Sequence, residues 1–410
     1  MTVNLHFSGA APAFGSVVNN PTRGAAWAVT LCGLAALAMA MGIGRFAFTP
    51  ILPAMQEEFG VTVAEGGWLA SANYLGYLLG ALAATRSHVS QRAAIRLGLM
   101  TIALTTIAMG LTDGFAIWIV LRAVPGFASA WVLIYVSAWA LDRLSKAGRP
   151  DLGGTVYAGV GAGIVFAGTA CLLLFHAHLT SSHAWIALGA SALLVTAALW
   201  PVMGDAPGVV ANTTTAKASP QEIPEFWRLV FCHGAFGLGY IIPATFLPVM
   251  AKQVISDPAW FGWAWPIFGA AAVLSTLLAA RLSLVLGQRG VWILGNLVMA
   301  FGVLIPIFVP GLTGIVLAAL CVGGTFMVNT MVGLQEARRV AGLHARMLMA
   351  AMTSAFALGQ IVGPLLVSSF IGMRNGFSLA LVLAAIPLLL AAYTLFANRG
   401  ATLQTTPTTR

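Results

Sequence analysis

Twelve long apolar runs constrain this chain more than any other feature. Each is about 17–25 residues long, enough for a helix to cross a bilayer. Of the 410 residues 59% are hydrophobic and 8% are charged, against roughly 25% charged in soluble domains. The sequence therefore predicts an all-α polytopic membrane protein with twelve transmembrane helices. The predicted spans are 25–48, 67–85, 95–111, 115–141, 152–175, 184–200, 226–250, 259–280, 291–309, 312–333, 347–371 and 377–396.

The spans form two groups of six. We expect a cytoplasmic tail at 1–24, a six-helix bundle at 25–200, a cytoplasmic linker at 201–225, a second bundle at 226–397 and a tail at 398–410. With the N-terminus inside, sixteen lysines and arginines lie in inner loops and tails. Only Lys252 and Arg374 lie outside, and Arg45 and Arg122 lie within spans. Because cytoplasmic loops carry the excess of basic residues, both termini are predicted to lie in the cytoplasm. The membrane that the helices cross is predicted to be the inner (plasma) membrane.

The net charge of +9 does not predict nucleic-acid binding. The basic residues stand singly at the ends of spans, which is the pattern of a topology signal. The three histidines at 176, 178 and 183 are interpreted as part of an ordinary loop rather than a metal site. No metal and no cofactor are predicted.

The two halves of the chain repeat at an offset of 195 residues. The stretch from Gly42 to Pro53 returns, without its arginine, from Gly237 to Pro248. Parallel repeats related by an axis along the membrane normal are one way in which transporters are built. Three further pairs keep the same offset: Trp68 and Trp263, Arg86 and Arg281, Gly168 and Gly363.

Two neighbouring motifs carry a family resemblance. Gly42-x-Gly-Arg-Phe-x-x-x-Pro-x-Leu-Pro53, followed by Trp68-Leu-Ala-Ser-Ala-Asn-Tyr-Leu-Gly-Tyr77, resembles the YbfB/YjiJ-type branch of the major facilitator superfamily along nearly the whole chain. The resemblance implies a secondary transporter working by alternating access, with the first, fourth, seventh and tenth helices around a central cavity. It implies no particular substrate.

Other superfamily patterns are only partly present. The stretch from Arg122 to Gly126 resembles an Arg-x-x-x-Gly pattern tied to proton coupling. The pattern Gly-x-x-x-Asp-Arg-x-Gly-Arg would begin at Gly80, but Ala84 stands at the position of its aspartate. A charge relay through that aspartate is therefore not expected here.

Arg45 and Arg122 are the main candidates for binding a substrate. A charged side chain at membrane depth costs at least about 2.5 kcal/mol, and all eleven acidic residues are predicted in loops or at helix ends. A guanidinium group fits a carboxylate or phosphate, so two arginines without a carboxylate favour a small organic anion. The alternative is structural: each arginine caps backbone carbonyls at a helix break or stacks on an aromatic ring.

Further polar residues in the spans are candidates for the same site. Tyr240 occupies the position that the repeat matches to Arg45, and the other candidates are Asn73, Tyr77 and Gln360. Hydrogen bonds between neighbouring helices are the alternative for each of them. His233 is the candidate for proton coupling because of its titration range, with a structural hydrogen bond as its alternative.

The sequence therefore predicts a monomeric transporter in the lipid bilayer for a small molecule, with an anionic substrate favoured and proton coupling left open. Efflux of drug-like hydrophobic compounds is the alternative within transport. A membrane-embedded enzyme and a non-transporting sensor are alternatives of other classes. No constellation of catalytic residues and no nucleotide motif supports an enzyme.

Overall fold

A computed structural model describes residues 23–84, 87, 89–203, 223–254, 262–341, 345–370, 372–373 and 375–397. In these ranges the chain forms helices and no strand. They are α1 Arg23–Leu37, α2 Phe48–Phe59, α3 Val63–Ala84, α4 Gln91–Gly110, α5 Phe115–Lys146, α6 Gly153–His176, α7 Ser181–Leu199, α8 Ile223–Val254, α9 Ala264–Phe308, α10 Leu312–Ala341, α11 Ala345–Phe370 and α12 Gly376–Ala397, with a π-helix at Ala38–Ile43 and a 3₁₀ turn at Pro150–Leu152.

Parts of the predicted organisation lie outside the described residues. These are most of both tails, most of the linker, and several of the basic residues used for topology, among them Arg86, Lys217 and Arg374. The bundle boundaries and the orientation therefore stay predictions.

Each of the twelve predicted spans is helical over most of its described residues. The first span, predicted to end at 48, continues to Phe59 and consists of α1, the π-helix and α2. Helix α9 contains the eighth and ninth spans, joined at Gly287, whose φ is 69°. Within the described ranges ten helices are long and apolar enough to cross a membrane. Two predicted spans are not among these ten. One is α3, which carries buried Ser71 and Asn73, and the other is the apolar helix Ala264–Ala279, which is too short.

The helices place their ends at two opposite ends of the bundle, called here the Phe59 end and the Arg23 end. At the Phe59 end the carboxylate of Glu58 accepts hydrogen bonds from the backbone N–H of Ser181, at 2.8 and 2.9 Å. The ring of Phe59 also lies 5.3 Å from that of Trp118. These contacts join the end of α2 to the starts of α5 and α7.

At the Arg23 end a buried charge cluster joins α9 and α10. Glu336, with no exposed surface, accepts from Arg289 at 2.9 Å and from Arg339 at 2.8 Å. Glu225 at the start of α8 also pairs with Arg289. The predicted tenth span ended at 333, whereas α10 continues to Ala341. Glu336 therefore lies inside the helix, where its two arginines offset the cost of its burial.

The two halves meet along three helix pairs: α2 with α8, α3 with α11, and α6 with α9. Glycines allow the last pair to approach closely, since a Cβ on Gly161 would lie 2.8 Å from the carbonyl oxygen of Gly269. The 195-residue repeat exchanges the α3–α11 contact with the α6–α9 contact. This exchange is expected for two halves related by a pseudo-twofold axis.

Candidate functional site

The first span is broken where the sequence places its arginine. Within the π-helix and the turn after it, the N–H groups of Gly44 and Phe46 bond to carbonyls five residues back, Met39 and Met41, at 3.1 Å. Short π-helical segments of this kind are frequent at functional sites. Residues 44–47, called here the break, separate the π-helix from α2.

A proline accounts for one free carbonyl in the break. Pro50 has no N–H, so it cannot bond to the carbonyl of Phe46. That carbonyl instead accepts from the N–H of Thr49, at 3.2 Å. In a regular helix this N–H would bond to the carbonyl of Arg45, which is therefore left free.

Side chains from α3 and α5 donate to the freed carbonyl of Arg45 and to two other carbonyls nearby. Arg122 Nη2 donates to the carbonyl oxygen of Arg45 at 3.1 Å. Asn73 Nδ2 donates to the carbonyl oxygens of Gly44, at 3.1 Å, and of Arg122, at 2.8 Å. The Arg122 guanidinium also lies 4.7 Å from the ring centroid of Phe48. The structural alternative considered for Arg122, a carbonyl cap with an aromatic contact, is the arrangement found.

The Arg45 side chain points into a cage of aromatic rings. Its guanidinium carbon lies 4.1 Å from the ring centroid of Tyr77 and 5.3 Å from those of Phe46 and Tyr74. Only 2% of Arg45 is exposed. Its Nε and Nη2 have no hydrogen-bond acceptor, and no ion pair to Arg45 occurs within the described ranges. Ring faces stabilise the charge by about 0.5–2 kcal/mol but give these two N–H groups no acceptor.

Three rings from the second half form what we call the aromatic wall: Tyr240, Phe326 and Phe356. Tyr240 stacks on the other two, with centroid distances of 5.6 Å and 5.5 Å and interplanar angles of 10° and 5°. Gln360 Nε2 donates to the hydroxyl of Tyr240, which leaves the hydroxyl proton available for another acceptor. Gln360 Oε1 is buried without a partner.

The cage and the wall adjoin each other across the boundary between the halves. Phe46 lies 6.1 Å from Phe326, ring centroid to ring centroid. Tyr74, which contacts Arg45, also places its hydroxyl 3.3 Å from Thr245 Oγ1 of α8. Among the predicted residues, Arg45 and Tyr77 thus share the cage, while Tyr240 and Gln360 lie at the wall.

His233 lies outside this arrangement, next to the wall. Its ring centroid is 5.4 Å from that of Phe356, 5.5 Å from Phe236 and 6.1 Å from Trp292. Its Nδ1 has no partner, and no carboxylate pairs with it in the described part of the chain. The predicted proton-coupling role is not supported by these contacts and stays a prediction.

Sequence reasoning missed Phe326 and Phe356, which form two thirds of the wall. Both lie in apolar runs, where nothing in the residue type separates a ring that faces the centre from one that faces lipid. The phenylalanine at 301, for example, is 65% exposed on α9. Phe46 was detectable only as the neighbour of Arg45. Among the described residues, no three His, Cys, Asp or Glu side chains are grouped so that they could hold a metal ion.

In the described ranges, helices in two related halves enclose a buried cation, an architecture that this chain shares with solved transporter structures. A solved structure of a mutant of the nucleoside transporter NupG superposes with a TM-score of 0.68 at 14% identity, covering 90% of this chain and 99% of that one. An inward-facing, unoccupied bacterial homologue of the human lysosomal transporter Spinster gives 0.69 at 18% identity, covering 94% and 100%. At these identities the likeness shows the fold alone.

The family follows from the sequence match. A family model described as "Uncharacterised MFS-type transporter YbfB" matches residues 37–395, and the chain belongs to this family. A curated relative, the uncharacterised MFS-type transporter YceJ of Bacillus subtilis (strain 168), is 25% identical over 278 residues, 63% of this chain and 68% of the relative. The chain is thus a multi-pass membrane transporter of a small molecule rather than an enzyme.

Proposed function

We propose that this chain transports a small organic anion by alternating access, as a secondary transporter, and that Arg45 binds the negative charge of the substrate. One observation carries the proposal: Arg45 is buried in the first span with Nε and Nη2 unpaired. Burial of a guanidinium without an anionic partner is costly. An arriving carboxylate or phosphate would satisfy both N–H groups and lower that cost.

The neighbouring residues have two kinds of role in this proposal. Arg122 and Asn73 hold the backbone of the break and so position Arg45. Tyr77 covers the guanidinium, and Tyr240 and Gln360 offer polar groups from the second half. Arg122, predicted as a second anion-binding residue, is thus assigned a positioning role, because its Nη2 already donates to a carbonyl.

The contacts between the halves support alternating access. With both termini in the cytoplasm of the inner membrane, as the basic residues predict, the Phe59 end faces outward. There Thr49 Oγ1 donates to the carbonyl of Ala244 at 2.8 Å, and Lys252 pairs with Glu57 at 2.5 Å. These contacts close the outer side of the site, so the substrate would exchange from the inner side in this state. The protein acts as a monomer, with one site between its halves.

Efflux of drug-like hydrophobic compounds is the second candidate, favoured by the aromatic wall. A cationic amphiphile would need a carboxylate beside the wall, and no carboxylate lies in the cage or the wall as described. His233 is the candidate for moving a proton if the cycle is coupled to protons.

A binding screen separates the candidates. Purified protein is heated with a metabolite panel that contains organic acids, neutral metabolites and amphipathic cations, and the unfolding temperature is recorded. Stabilisation by carboxylates or phosphates supports the proposal. Stabilisation by amphipathic cations alone would overturn it in favour of drug efflux.

A further inference from the structure

The free groups around Arg45 define more than the sign of the substrate's charge. We infer that the site takes an aromatic monocarboxylate whose carboxylate pairs with Arg45 and whose ring packs against the aromatic wall. This inference rests on the proposed function and narrows it to one chemical class.

One edge of the Arg45 guanidinium is free. Nε and Nη2 of Arg45, the two nitrogens without an acceptor, lie along the same edge of the planar guanidinium group. Two parallel N–H groups on one edge match the two oxygens of a single carboxylate. Arg45 therefore offers a bidentate site for one such group.

A second negative charge on the ligand would have few partners. The other cation nearby, Arg122, donates through Nη2 to the carbonyl of Arg45 and lies over the ring of Phe48, which leaves its Nε alone without a partner. The remaining surroundings are rings, whose faces carry partial negative charge. A dicarboxylate would place its second charge against these faces, with at most the single Nε–H of Arg122 as a donor, so a monoanion is favoured.

The aromatic wall favours a flat ring in the part of the ligand beyond its carboxylate. Tyr240 stands between Phe326 and Phe356 with interplanar angles of 10° and 5°, so the wall consists of nearly parallel rings. Aromatic pairs gain stability beyond the area that they bury. A flat aromatic ring next to this wall would gain that contribution, whereas a saturated ring of the same size would not.

Two polar groups at the wall favour a hydroxyl group on the ligand's ring. Gln360 Oε1 is fully buried without a donor, and Tyr240 accepts from the same amide. Since a buried acceptor without a donor costs about as much as a lost hydrogen bond, a hydroxyl on the ligand's ring would remove this penalty. Hydroxylated aromatic acids should therefore bind best.

Thermal stabilisation of the purified wild-type protein tests the inference with five kinds of probe: benzoate, the three hydroxybenzoates, cyclohexanecarboxylate, hexanoate and succinate. Benzoate is expected to bind about 2- to 12-fold more tightly than cyclohexanecarboxylate, the range given by aromatic pairing. At least one hydroxybenzoate should bind more tightly than benzoate, and succinate should bind more weakly than both.

Two variants sharpen the test. In Gln360→Leu the advantage of the hydroxybenzoate over benzoate should disappear, a ratio that general destabilisation does not change. In Phe356→Leu the preference for benzoate over cyclohexanecarboxylate should fall, while Phe301→Leu, at the 65% exposed position on α9, should keep it.

The outcomes separate this inference from the proposed function. If cyclohexanecarboxylate or succinate binds as tightly as benzoate, and binding is lost in Arg45→Gln, the aromatic inference is wrong while the anion proposal stands. If no carboxylate stabilises the wild-type protein, the aromatic inference is overturned, and if no phosphate of the metabolite panel stabilises it either, the anion proposal is overturned as well.

Discussion

Glu57 of α2 and Lys252 of α8 form an ion pair across the two halves, with 2.5 Å between Oε1 and Nζ. The two residues are also equivalent positions of the internal repeat. The same holds for Thr49 and Ala244, which are 195 residues apart and joined by a hydrogen bond. Equivalent residues touch each other only close to the axis that relates the repeats. The ends of the first and seventh spans therefore lie at that axis, and they hold the Phe59 end closed.

Breaking these axial contacts should favour opening of the Phe59 end. The exposed ion pair is worth up to about 1 kcal/mol and the buried hydrogen bond about 0.5–1.5 kcal/mol. The variant Lys252→Met with Thr49→Val should therefore raise the open population several-fold. Distances between spin labels at Leu111 and Phe308, exposed ends in opposite halves, measure this in a background without native cysteines.

The control for this prediction breaks an ion pair within one half. Lys146→Met removes the contact with Asp142 at 2.7 Å and should leave the distance distribution unchanged. A distribution that is the same in the double variant and the wild-type protein would show that the axial contacts do not set the closed state.

Removing the amide of Asn73 should loosen the break. Asn73→Ala removes the amide that donates to the carbonyls of Gly44 and Arg122, and each lost hydrogen bond costs about 0.5–1.5 kcal/mol. We expect a lower unfolding temperature and weaker binding of all anions by a common factor. Ser369→Ala, which removes only an exposed hydroxyl bonded to its own helix, is the control. A changed order of preference among anions would instead indicate that Asn73 contacts the substrate.

Adding a methyl group between α3 and α5 should destabilise the protein. A Cβ on Gly126 would lie 2.0 Å from the carbonyl oxygen of Asn73, whereas the nearest atom to a Cβ on Gly324 lies 4.0 Å away. Since overpacking costs about 1–3 kcal/mol, Gly126→Ala should lower the unfolding temperature and Gly324→Ala should not. Equal unfolding temperatures in the two variants would contradict the close packing of α3 on α5.

Neutralising Glu336 should be among the most damaging single changes at the Arg23 end. Glu336→Gln removes the charge between Arg289 and Arg339, and breaking a buried ion pair costs about 3–5 kcal/mol. Denaturant unfolding of the purified protein measures this loss. Asp142→Asn, in an exposed pair, should cost much less, and a loss of equal size in both variants would show that burial of the cluster is unimportant.

Most of the fold was predictable from the sequence, because strong patterns determine it. Long apolar runs predict spanning helices, and a fixed offset predicts two equivalent halves, which Thr49 and Ala244 now illustrate by direct contact. Helix ends were less predictable. The tenth span was predicted to end at 333, since charged residues follow, but Glu336 and Arg339 neutralise each other and α10 continues.

The site was only partly predictable. Arg45 was identifiable because a cation in an apolar run needs an explanation. The role of Arg122 was not predictable, because it depends on which carbonyl Pro50 leaves free. Finding that carbonyl requires the backbone conformation of the break. Pro243 and Pro248 lie inside the seventh span, yet α8 runs unbroken from Ile223 to Val254. A proline within a span therefore does not by itself predict a break.

The most direct test of the central claim is transport by Arg45→Ala. Wild-type protein and the variant are reconstituted in proteoliposomes at equal density, and uptake of radiolabelled lactate, succinate, benzoate and phosphate is measured. We predict that the wild-type protein takes up at least one of these anions. The control variant Arg149→Ala, changed at a loop position, should take it up equally well. Uptake by Arg45→Ala should fall to the level of protein-free vesicles. Uptake of every anion by Arg45→Ala at the wild-type rate would contradict the account.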